Sequence, residues 1–202
     1  MRENWFKIAL TALLLADASV RLYYLKGRRK FERVAVKHEK RENFFYRLVG
    51  MGLIPISYYL LTPRIDAFRL PFPAWLRWSG AAIIFAGDLL FIWSHRALDK
   101  NWSPLLEIRK GHTLVTEGPY RFIRHPMYAA IFLIGTGILF LSANWTVASS
   151  YMLPVIFMYL IRVSDEEEMM VEQFGDEYRK YMKSTGRLLP KLNIKFNPVH
   201  DR

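Results

Sequence analysis

Cysteine is absent from all 202 residues. That excludes disulfides, thiolate nucleophiles, iron–sulfur clusters and cysteine-containing zinc sites, so catalysis has to come from other groups. Histidine is scarce: His38, His95, His112, His125 and His200 are the whole supply. No two of them have the i, i+4 spacing of an HExxH helix, and a metal site is not expected. Acidic residues are outnumbered, 18 against 29 lysines and arginines, for a formal charge of +11. Internal repeats and low-complexity segments are lacking too.

Apolar residues are plentiful at 52%, with 15% aromatic. A chain this apolar and this basic fits a membrane protein lying against anionic lipid headgroups. Nucleic-acid binding is the competing reading of the charge. It is set aside, and no nucleic-acid partner is expected, because the basic residues cluster beside apolar spans and form no separate basic domain.

The fold class expected is all-α, a polytopic helical bundle of five spans at 5–24, 48–62, 76–94, 127–141 and 145–161, forming one domain over 1–202. Twenty helical residues at ~1.5 Å rise reach roughly the 30 Å of a bilayer core. The rival for the first span is a secretory signal, with "MRENWFK" as basic start, "IALTALLLA" as core and "ADA" as cleavage site. The pattern instead continues through "SVRLYYL" to the basic block "KGRRK", as at the cytoplasmic end of a true span. Asp17 and Arg21 stand four apart and read as a structural pair. Asp88 reads as part of a lipid-substrate entrance. Charges at this depth are costly and should face the bundle interior. The second span carries Pro55, and only "SAN" joins the fourth and fifth, a tight helical hairpin.

Basic residues fill the segment after the first span, from Lys26 to Arg47, and the loop from Arg96 to Arg124. An outside N-terminus with the C-terminus and site inside satisfies the positive-inside bias. "HEKRENFFYR" reads as a lipid-surface segment. After the last span, "SDEEEMMVEQFGDEYRKYMKS" reads as an amphipathic cytoplasmic helix, acidic at its start, basic at its end and stopped by Thr185-Gly186 and Pro190.

The stretch "GPYRFIRHPMYAAIFLIG", from Gly118 to Gly135, sets two arginines and a histidine-proline pair directly against an apolar run. In a hairpin of antiparallel helices the start of the fourth span and the end of the fifth share one membrane face. His125 and Tyr128 can then approach Arg162 and Glu166. Two features, "GPYRFIRHPMY" and the Arg162 to Glu166-Glu167 spacing followed by "FGDEYRKY", resemble the isoprenylcysteine carboxyl methyltransferase family of membrane enzymes. The similarity covers about 105–190.

The resemblance implies a methyltransferase that uses S-adenosylmethionine. It implies cofactor contacts from Leu105, from His112, Thr113, Leu114 and Val115, from Tyr120, and from His125, Pro126, Met127 and Tyr128. Arg162 would face the methyl acceptor and Glu166 the cofactor. Three successive glutamates make Glu167 an alternative for part of that role. The implied acceptor is the carboxylate of a C-terminal isoprenylated cysteine or a similar lipophilic acid, met in the bilayer.

Physical chemistry makes these roles reasonable. A sulfonium, an ammonium and a carboxylate on one ligand call for a carboxylate, backbone donors and aromatic walls. Pro126 lacks an amide hydrogen and starts the fourth helix, leaving nearby amides for a ligand. An acceptor carboxylate, with a pKa of ~3.5, needs no general base. Arg162 would hold it by charge-assisted hydrogen bonds, and catalysis would be alignment. An amine acceptor arrives as an ammonium, which Arg162 repels. Blander readings stand beside these: Arg121 and Arg124 as interfacial anchors, Tyr128 as an aromatic-belt residue, the glutamates as first-turn acids. The alternatives are a phospholipid or other small-molecule methyltransferase, a sterol-reductase-like NADPH enzyme, and a non-catalytic membrane scaffold.

Overall fold

Apolar runs long enough to close many turns become helices, and polar or glycine-bearing joints end them. The computed structural model describes residues 2–27, 33–36, 39–62, 68–103, 107–109 and 113–191. Six α-helices follow in order: α1 (Arg2–Gly27), α2 (Glu39–Leu61), α3 (Ala74–Leu98), α4 (Pro126–Ser142), α5 (Trp145–Phe174) and α6 (Asp176–Ser184). Among the described residues, three helices are long and apolar enough to cross a membrane: Glu3–Lys26, Ala74–Leu98 and Trp145–Phe174. The chain is thus an integral membrane protein with a helical architecture. Gly50–Leu61 and Pro126–Ser142 are shorter apolar helices.

The structure departs from expectation in two places. The expected cytoplasmic helix after residue 161 is divided: its first half continues α5, which runs unbroken for 30 residues to Phe174, and only its second half stands apart, as α6. Nothing in "RVSDEEEMMVEQF" breaks a helix; the break comes at Gly175, whose φ of 55° belongs to the left-handed region that glycine tolerates. A two-stranded antiparallel ribbon, β1 (Arg33–Val36) with β2 (Glu107–Arg109), also joins the two basic loops.

Between helices in lipid there is no hydrophobic transfer to gain, so close packing and polar contacts hold the bundle. The tightest crossing is α3 on α4. A Cβ added at Gly80 would sit 2.6 Å from the Gly137 carbonyl oxygen, and one at Gly137 would sit 2.6 Å from that of Gly80. Around this contact Ile84, Ile134, Ile138 and Leu141 are fully buried. Ala143 and Asn144 make the α4–α5 turn, where the Asn144 side chain caps α5 by accepting from the Val147 amide at 3.2 Å.

A polar staple closes that same end. Glu3 accepts from Arg77 at 2.6 and 2.9 Å, from Arg69 at 2.8 Å and from the Tyr59 hydroxyl at 2.8 Å. The Arg77 guanidinium lies 3.7 Å from the Phe6 ring centroid and donates to the Leu141 carbonyl at 3.1 Å. Four helices meet on these two side chains.

Candidate active site

At the opposite end, the antiparallel α4–α5 pair brings the start of α4 beside the far half of α5. The Tyr128 hydroxyl donates to Glu166 Oε2 at 3.2 Å, and Arg162 Nε lies 4.0 Å from the same oxygen. His125 Nδ1 is 4.0 Å from Glu166 Oε1. The arrangement gathers one carboxylate, one guanidinium, one imidazole and one phenol around a point.

The adjacent glutamates do different things because successive helical residues point about 100° apart. Glu166 keeps 31% of its side chain exposed and lines a cavity. Glu167 keeps only 5% and binds inward, accepting from Arg124 Nε at 2.9 Å, His125 Nε2 at 3.1 Å and Arg187 Nη2 at 2.6 Å. Its hydrogen bonds raise the affinity of Arg187 for its proton. Glu167 fixes the histidine, and Glu166 faces open space.

The motif segment is clasped from outside by the last turn of α6 and the chain that follows it. The Arg124 amide donates to the Gly186 carbonyl at 2.8 Å and the His125 amide to that of Arg187 at 3.0 Å. Arg124 Nη1 donates to the Met182 carbonyl at 3.1 Å and also to that of Thr185. The Tyr181 hydroxyl donates to the Tyr120 carbonyl at 2.6 Å, and burial pushes that hydroxyl up to about 12. Burial likewise raises Tyr120 well above the usual phenol value, so it serves as a neutral wall.

The cavity measures about 710 Å³, within the range of small-molecule sites. Thr113, Leu114, Val115, Tyr120, His125, Met127, Tyr128, Arg162 and Glu166 all line it. Asn101 and Thr113 hold one another by two bonds of 3.0 and 3.1 Å, fixing the start of the 113–115 segment. Pro126 is buried and opens α4 without lining the cavity. Asp88 is buried and does not line it either, and Leu105 and His112 lie outside the described residues. Most of the remaining wall is apolar, from Leu14 of α1, Leu53 and Ile56 of α2, Ile131 of α4 and Met158 of α5, while Asp17, Arg21 and His95 add a polar patch.

Sequence reasoning missed Arg187, Tyr181, His95 and Trp102. Arg187 and Tyr181 carry a signal only in hindsight: an arginine after a Thr-Gly pair is an ordinary loop residue unless its carboxylate partner is known.

Comparison with known proteins locates the resemblance. Residues 80–172 match the Isoprenylcysteine carboxyl methyltransferase (ICMT) family. The resemblance to the ICMT family therefore extends over the cavity-lining halves of α3, α4 and α5. The human protein-S-isoprenylcysteine O-methyltransferase is 30% identical over 118 residues, 57% of this chain and 42% of the human one. The enzyme of the same name from Schizosaccharomyces pombe is 33% identical over 83 residues, 41% of this chain and 35% of the yeast one. This chain thus spans less than half the length of these ICMT relatives. A solved structure of the eukaryotic intramembrane Ras methyltransferase ICMT superposes with a TM-score of 0.54 at 23% identity, covering 77% of this chain and 54% of that one. That likeness establishes a shared fold.

Proposed function

We propose that the protein is a membrane methyltransferase that transfers the methyl group of S-adenosylmethionine to a lipophilic carboxylate, an isoprenylated cysteine or a similar acid. The carrying observation is that Glu166, Tyr128, His125 and Arg162 converge on one cavity whose remaining wall is mostly apolar. The names and sequences of the ICMT relatives support the same reading. All residues form one domain of five spans, with α2 and α4 completing the three long ones. The N-terminus lies outside, and the C-terminus and cavity mouth lie on the cytoplasmic side.

The donor set fits the cofactor. Glu166 supplies a carboxylate for its ammonium group, Tyr120 and Tyr128 supply aromatic walls near its sulfonium, and the 113–115 segment and the first turn of α4 supply backbone amides. Bound there, S-adenosylmethionine supplies an electrophilic methyl carbon. Arg162, buried at the same rim, orients an acceptor oxygen by charge-assisted hydrogen bonds. His125, pinned by Glu167, holds the α4 start in register. The clasp of residues 181–187 keeps bulk water from the rim. No group has to remove a proton, because a carboxylate acceptor is already ionised. An ammonium acceptor would meet the Arg162 charge, which disfavours the amine-methylating alternative.

The test is methyl transfer from labelled S-adenosylmethionine by the purified full chain in lipid vesicles, with N-acetyl-S-farnesylcysteine as acceptor. Base-labile methyl ester is the expected product. Absence of ester with every carboxylate acceptor offered would overturn the proposal.

A further inference from the structure

At the rim of the cavity two large apolar side chains are left uncovered: Leu189 keeps 78% of its surface open and Phe122 keeps 53%. They belong to adjoining segments. A parallel bridge joins Ile123 to Gly186, which lays the chain around Phe122 against the loop of residues 186–191. That loop bends so tightly that a Cβ on Gly186 would run into the Leu189 carbonyl oxygen. Leu188 turns inward and packs on the cluster of Phe45, Tyr128 and Met158, while Leu189 turns out.

Depth says what such side chains meet. The cluster under Leu188 also takes in Tyr159 and Ile161 of α5. Ile161 comes 16 residues after Trp145 at the opposite face, about 24 Å along the helix. The loop therefore lies near the level where a hydrocarbon core about 30 Å thick gives way to headgroups.

Charge points to the same neighbour. Residues 118–128 and 178–191 contain no Asp or Glu. Arg121, Lys183, Arg187 and Lys191 are exposed there. Lys191 Nζ donates to the Met182 and Lys183 carbonyls at 2.9 and 2.6 Å, neutral partners that leave its charge uncancelled. Glu167 faces the two guanidiniums of Arg124 and Arg187, so that trio keeps a net positive charge. Uncovered apolar side chains flanked by cations suit a contact with anionic lipid, the anionic partner already present at this depth.

We propose that residues 186–191 and Phe122 dock on the anionic surface of the protein's own bilayer, Leu189 entering the boundary between headgroups and acyl chains, and that this docking tightens cofactor binding. The coupling has a route. Gly186 and Arg187 give their carbonyls to the Arg124 and His125 amides, and Leu188 packs on the cluster that holds Tyr128. A loop held on the membrane therefore holds the first turn of α4, and the two bindings strengthen each other reciprocally. Docking is independent of the reaction; only the coupling rests on the cofactor reading above.

With no cysteine in the chain, Leu189→Cys and Gln173→Cys each accept one environment-sensitive NBD label. Gln173 is exposed 12 residues beyond Ile161 on α5, about 18 Å farther from the core. The full chain goes into vesicles of phosphatidylcholine alone or with phosphatidylserine. The label at 189 is expected to emit at shorter wavelength than that at 173, more so with phosphatidylserine, and to be quenched by lipids spin-labelled high on the acyl chain. Calorimetry with S-adenosylhomocysteine on the unlabelled wild type should find binding about 5-fold tighter with phosphatidylserine, the lower edge of ordinary coupling between sites. Leu189→Asp should bring that ratio close to one; a ratio unchanged in the variant would overturn the role of Leu189. A label at 189 that emits as in water in both vesicles would overturn the docking. So would a label shielded from water but untouched by spin-labelled lipid, which would mark contact with another protein surface. A docked label with equal wild-type affinities in the two lipids would overturn the coupling. Lack of S-adenosylhomocysteine binding in either lipid would instead sink the cofactor reading and the coupling with it, the labels still deciding the docking. The label and wild-type measurements stand whether or not Leu189→Asp folds.

Discussion

Glu166 and Glu167 sit one residue apart and answer to different neighbours. Glu166→Gln removes a charge from the cavity wall, so binding of S-adenosylhomocysteine should weaken about 10-fold or more, the scale of hydrogen bonds to charged groups, with little change in melting temperature. Glu167→Gln leaves Arg124 and Arg187 facing an amide. Breaking the buried pair with Arg124 costs about 3–5 kcal/mol, so thermal unfolding in detergent should occur at clearly lower temperature. Calorimetry and melting curves on the two variants separate the roles; equal effects on both readouts would contradict the division. Tyr181 gives a pH signature. Its hydroxyl titrates near 10 in an unfolded chain and about 12 in the fold, so the stabilisation is complete below pH 10 and lost as pH rises through 12. Tyr181→Phe should reduce that slope in a plot of melting temperature against pH, the buried Tyr120 keeping part of it. The sequence placed both glutamates near the start of α4 through the hairpin argument, but could not choose between them. The choice depends on which way each points on a helix whose rotation is set by tertiary packing.

The elements were legible where their signals are local. Long apolar runs announced α1, α3 and α5, and a three-residue joint announced the turn at Ala143 and Asn144. The ribbon of β1 with β2 was not legible, since four basic and aliphatic residues carry no strand period of their own and pair only because the two loops meet. The unbroken α5 was misread because a change from apolar to acidic residues marks the edge of a membrane, not the end of a helix. Two glycines test the packing claims at this scale. Gly137→Ala would press a methyl group onto the Gly80 carbonyl, and overpacking of this kind costs about 1–3 kcal/mol. Gly175→Ala meets open space, so its only cost is the left-handed backbone, about 1–2 kcal/mol. Unfolding measurements on both should show losses of these sizes, and an unchanged Gly137→Ala would mean that α3 and α4 lie farther apart than described.

At the scale of the whole molecule, the bundle is held at one end by the Glu3 and Arg77 staple and at the other by the Glu167 ion pairs, with the cavity between. Orientation in the membrane can be read directly, since the chain has no cysteine to give background. Trp145→Cys should react with an impermeant maleimide from outside and Lys183→Cys only after the cytoplasmic face is opened; the reverse pattern would invert the proposed topology. How the tail closes the site was not visible in sequence, because Met182, Thr185, Gly186 and Arg187 hold the motif segment through backbone carbonyls, which every residue possesses. That clasp has a consequence for biogenesis. Its last contact comes from Arg187, so while a ribosome is still making the polypeptide every membrane helix can be in place yet the rim around His125 stays unbraced. The pocket matures only when those final turns emerge, and a product cut at Phe174 would insert into the bilayer but remain inert.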